Sequence, residues 1–109
     1  MVKAKVRTEA EISSIRKSGE ILTKVLDKLV ASTKVGVTSN QLDQIAREET
    51  ERLGGKPAFL GYQGFPATVC VSVNNEIVHA IPNDRPFREG DLIGIDYGVN
   101  YEGMITDAA

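Results

Sequence analysis

The chain has 109 residues, enough for one domain and too few for two independent cores. Hydrophobic residues make up 41% and charged residues 26%, the balance of a globular fold and not of a disordered one. Thirteen Lys and Arg against fifteen Asp and Glu leave a net charge of −2, which excludes a nucleic-acid partner held by a dense basic surface.

No apolar run approaches the roughly 20 residues that span a bilayer, so no membrane partner is expected. The start, Met1 to Arg7, lacks the apolar stretch of a signal peptide, which points to a cytoplasmic location. One cysteine, Cys70, excludes an internal disulfide and a cysteine-based zinc cluster.

The first half predicts two helices. Thr8 and Glu11 have capping-box spacing, and Ile12, Ile15, Leu22, Val25, Leu26, Leu29 and Val30 then form one apolar stripe. Gly36 is expected to end this helix. Thr38 and Gln41 form a second capping box, opening a shorter helix with Leu42, Ile45, Ala46 and Leu53 on its core face. Gly54, Gly55 and Pro57 stop it. Both helices read as packing elements.

The second half changes period. Val69, Val71 and Val73 alternate with Thr68, Cys70, Ser72 and Asn74, which is strand spacing. Asn74-Asn75 suits a hairpin turn, and Ile77, His79 and Ile81 share one face of a return strand. Pro82 to Pro86 reads as a loop. Leu92–Val99 and Met104–Ala109 then form two more strands, joined by a turn over Asn100–Gly103. Helices first and antiparallel strands afterwards predict an α+β fold, two helices on an antiparallel sheet, as a single domain over 1–109.

Register brings two pairs of side chains together. A turn centred on Asn74-Asn75 places Cys70 opposite His79. A turn centred between Tyr101 and Glu102 places Asp96 opposite Asp107, and a bulge at Gly103 would make that pair diagonal instead. Asp is depleted in strand interiors, and Asp96 interrupts an apolar run. Facing carboxylates need a shared proton or a cation between them, and two such ligands can bridge two divalent ions. The alternative is structural: Asp107 in water near the end of a strand, Asp96 capping a turn. Cys70 beside His79 admits a cysteine hydrolase, but also a small buried thiol and a satisfied core histidine.

The segment from Gly61 to Pro82, with Gly64-Phe65-Pro66, Cys70 and Asn74-Asn75-Glu76-Ile77-Val78-His79, closely resembles methionine aminopeptidases of the shorter, bacterial type. The similarity continues through Glu89–Gly98 and Gly103–Ala109, and reaches back to Glu11–Leu22 and Val35–Thr38. It implies the N-terminal half of a pita-bread fold. It further implies a metal-dependent aminopeptidase that removes the initiator methionine from nascent proteins.

By position, Asp96 and Asp107 correspond to two aspartate ligands of a dinuclear site for Co, Mn, Fe or Zn. His79 corresponds to a catalytic histidine that contacts substrate near the scissile amide. Phe59, Tyr62, Phe65 and Cys70, with His79, correspond to the substrate pocket, where aromatic and sulfur contacts suit a thioether. Family members carry a second half with a histidine and two glutamate ligands; the one histidine here is already His79. The isolated half is therefore expected to be inactive or weakly active. The alternative is a non-catalytic half-pita module that binds metal or peptide. Expected partners are peptide or nascent-protein N-termini, and either a second copy or a complementary C-terminal half.

Overall fold

The computed structural model describes residues 7–58, 68–74 and 82–109. Phe59, Tyr62, Phe65 and His79, and the hairpin and return strand after Asn74, lie outside the described residues.

Helix α1 spans Glu9–Ser32 and opens on the full capping box: Glu11 N donates to Thr8 Oγ1, and Thr8 N donates to Glu11 Oε1. It buries Ser18, Ile21, Leu22, Val25 and Leu29. The expected stripe is corrected at both ends. Ile12 is 42% exposed and Val30 67%, while Ile21 joins the core. A helix of 24 residues is about 36 Å long, so its ends overhang what it covers, and Val30 sits about 100° around the helix from Leu29.

The end of α1 also differs from expectation. Thr33 turns to extended backbone (φ −80°, ψ 102°) and ends the helix four residues before Gly36, while the Ser32 and Thr33 hydroxyls donate to the carbonyls of Lys28 and Leu29 at 2.7 Å each. Gly36 instead makes a later turn at φ +90°, with its N–H donating to Phe87 O.

Helix α2, Ser39–Arg52, starts on the second capping box as predicted. It buries Ser39, Leu42, Ala46 and Thr50, with Ile45 and Leu53 partly buried. Gly54 at φ +90° turns the chain out of it. Pro57 does more than end the helix: Lys56–Pro57 form a short strand, β1, that the sequence reading did not contain.

The sheet is organised around β3, Ile93–Tyr101. It pairs antiparallel with β1, with β2 (Cys70–Val73) and with β4 (Met104–Ala108). Tyr97 and Val99 face the helices and are fully buried with Val69, Val71, Leu42, Ala46, Val25 and Leu29. Ser18 of α1 ties this face down by donating to Val99 O at 3.1 Å and sharing a 2.9 Å hydrogen bond with Thr106. Thr50 donates to Ala46 O at 2.6 Å, so its proton is taken and the Tyr97 hydroxyl donates to Thr50 Oγ1 at 2.5 Å. Among the described residues, no buried side-chain polar atom is left without a partner.

The β3–β4 register corrects the predicted pairing. Glu102 (φ 51°) and Gly103 (φ 84°) are the two central residues of the turn, so Tyr101 pairs with Met104 and Asp107 pairs with Gly98. Two consecutive positive φ values mark a type I′ hairpin, and glycine takes its second central position. That moves the turn centre one residue along the chain and the register by two. Asp96 is therefore not opposite Asp107.

Candidate metal centre and its relatives

Side chains directly opposite one another in a sheet share a face, and alternate residues along a strand return to it. Tyr97 and Val99 use the helix face, so Asp96 and Gly98 use the other. Cys70 pairs with Asp96, and Asp107 with Gly98. Cys70, Asp96 and Asp107 thus share the face turned away from the helices. The two aspartates are diagonal neighbours, a relation that typically separates residues by about 7–8 Å. No bulge is involved; the turn alone sets it. Gly98, itself buried, contributes no side chain between them, and Gly94, exposed opposite Ser72, contributes none on the other flank of Asp96.

The environments of the three groups differ. Asp107 is exposed, Asp96 half-buried and Cys70 buried. Burial, reinforced by the negative charges of Asp96 and Asp43, pushes the Cys70 thiol up to about 11. A thiol with that pKa is about one part in ten thousand thiolate at pH 7, a poor start for a nucleophile.

The donor set suits a divalent ion in kind. Aspartate oxygens are hard, anionic ligands, and two of them on neighbouring strands of one face are held by the backbone ladder. In number they fall short of a complete shell: among the described residues, no group of three or more His, Cys, Asp or Glu is arranged to hold a metal ion. No helix among them is long and apolar enough to cross a membrane.

The fold, two capped helices on an antiparallel sheet, is shared with a known class of protein. Residues 13–109 match the model of metallopeptidase family M24, and the chain belongs to that family. Within it, the chain is 41% identical to the methionine aminopeptidase of Aquifex aeolicus, over 94% of this chain and 42% of that protein. The solved methionine aminopeptidase of Thermotoga maritima superposes with a TM-score of 0.92 at 33% identity, covering 96% of this chain and 43% of that one. That of Rickettsia prowazekii gives 0.90, also at 33% identity, covering 96% and 42%. The chain thus spans about two-fifths of the length of these relatives, and its fold is half of a pita-bread fold.

Proposed function

We propose that this chain supplies the aspartate side of the metal centre and part of the methionine pocket of a methionine aminopeptidase. The observation that carries the reading is the register that puts Asp96 and Asp107 on one sheet face as diagonal neighbours, with Gly98 between them. Divalent ions held there would supply Lewis-acid polarisation of the scissile carbonyl and an acidified water. Asp96 and Asp107 anchor and charge-balance that centre. Cys70, buried beside Asp96, is a soft and uncharged wall for a thioether side chain. Phe59, Tyr62 and Phe65 complete the pocket in this reading, and His79 donates a hydrogen bond to charge developing at the scissile amide. The substrate is the N-terminal methionine of a peptide or nascent protein, and the site works in the cytoplasm. The metal is Co, Mn, Fe or Zn.

A second reading has one observation in its favour. The described residues offer two clustered ligands and no more, which fits a module that binds metal or peptide without turnover. Methionine release from a Met-Gly peptide with added Co²⁺ or Mn²⁺ separates the two. Release that is abolished by Asp96→Asn and survives Cys70→Ala supports the aminopeptidase. Metal binding with no release, even after addition of a C-terminal half that carries the remaining histidine and glutamate ligands, supports the module.

A further inference from the structure

Helix α2 reaches the site through two polar side chains one turn apart. Asp43 Oδ1 accepts hydrogen bonds from two consecutive backbone amides, Thr68 N at 2.6 Å and Val69 N at 2.9 Å. Arg47 Nε donates to Thr68 Oγ1 at 3.3 Å, and Thr68 is itself fully buried. Consecutive amides of an extended strand point in opposite directions, so one oxygen cannot hold both within a ladder. A carboxylate that does hold both fixes the place where the strand begins. Strand β2 starts at the next residue, Cys70. Because β2 contains only four residues, its N-terminal anchor has a large share in setting its position on β3.

We propose that Asp43 is a positioning residue for the site: from α2 it pins the start of β2, and so holds Cys70 beside Asp96. It acts through Cys70, and its consequence for substrate rests on the pocket reading given above. Charge-assisted hydrogen bonds to backbone amides are among the stronger ones, and Asp43 makes two. Asparagine keeps an acceptor oxygen at the same place, whereas alanine removes it.

The test is the rate at which Cys70 reacts with Ellman's reagent in the folded chain at fixed pH, read beside amide exchange. Asp43→Ala should speed the reaction by about 10- to 100-fold through local opening of β2, and Asp43→Asn should stay within about threefold of the parent. Amides of Val25 and Leu29 in α1 should keep their protection in both variants. An unchanged Cys70 rate in folded Asp43→Ala overturns the proposal. So does a loss of protection spread equally over α1 that asparagine fails to restore. Should Asp43→Ala not fold, exchange at Thr68 and Val69 in the parent decides: slow exchange at both supports the anchor, and fast exchange at either removes it. These readouts need neither metal nor turnover. A chain that passes them but binds Mn²⁺ or Co²⁺ equally well as its Asp96→Asn variant refutes the metal-centre reading while leaving the anchor standing.

Discussion

Asp107 lies across the β3–β4 ladder from Gly98, one diagonal step from Asp96. Direct opposition of two carboxylates would bring their Cβ atoms to about 5 Å and destabilise the hairpin. The diagonal relaxes that repulsion while keeping both groups on one face. The hairpin can therefore fold without metal, and metal then adds to it.

The affinity follows from the donor count. Two carboxylates displace few of the waters around a divalent ion, so Mn²⁺ or Co²⁺ should bind this chain with a Kd above about 1 μM. Asp96→Asn should weaken it by at least about tenfold. Isothermal calorimetry measures both. Submicromolar binding to a monomer, or binding indifferent to Asp96→Asn, contradicts the proposed centre.

Alkaline stability should report on Tyr97. Burial pushes its hydroxyl up to about 12 from an ordinary value near 10. A group whose pKa is raised by folding stabilises the fold fully below its unfolded value and loses that contribution as pH rises toward the folded one. Two units correspond to about 3 kcal/mol, lost between about pH 10 and pH 12. Urea denaturation from pH 8 to pH 12 should show this decline. Tyr97→Phe should cost about 1 kcal/mol at pH 8 and have a flatter alkaline limb, because the hydrogen bond and the titration go together. An equally steep limb in Tyr97→Phe assigns the loss elsewhere.

Two glycines should respond in opposite directions to alanine. A Cβ at Gly55 would meet Val99 Cγ1 at 3.1 Å and the Ile21 and Thr50 methyl groups at 3.4 Å. Those atoms belong to the packed helix–sheet interface, so Gly55→Ala should destabilise by about 1–3 kcal/mol. Gly19 stands in the interior of α1 with nothing within 4 Å of such a Cβ. There alanine should stabilise by about 0.8–1 kcal/mol through helix propensity. Thermal melts of both variants give the signs directly.

What could be read from the sequence was what local chemistry controls. Both capping boxes are visible because Thr and Glu or Gln three residues apart satisfy the same amides wherever a helix starts. The parity of Asp96 and Asp107 was equally legible, since alternation along a strand survives a shift of two. Their exact pairing was not, because it depended on which residue of Tyr101–Gly103 takes positive φ. β1 was hidden for a different reason. Lys56-Pro57 has no strand pattern of its own and is ordered by pairing with Val99 and Asn100 more than 40 residues away. Asp43 was hidden likewise, since nothing in its neighbours indicates that its partners are at Thr68 and Val69. The Phe59, Tyr62, Phe65 and His79 assignments rest on the family resemblance alone.

Strand β4 should make the chain associate with itself. Among the described residues it pairs only with β3, and Ile105, on the same face as Asp107, is 61% exposed. An edge with free amides and carbonyls beside an apolar side chain is a template for another strand. A second copy of β4, antiparallel to the first about a two-fold axis, needs only one self-complementary edge. Ile105 of both copies would become covered, at about 25 cal/mol per Å² of apolar surface removed from water. Opposing this, the pairing would gather Asp96 and Asp107 from both copies, four carboxylates whose repulsion grows as water leaves. Divalent ions offset that repulsion, so metal and association should reinforce each other. Sedimentation at tens of micromolar should show dimer with Mn²⁺ and a shift toward monomer with chelator. Ile105→Lys should favour monomer in both, because it puts a hydrated charge where the apolar contact would form. A chain that stays monomeric with and without metal rules out the pairing, and a dimer indifferent to Ile105→Lys puts the contact on another surface.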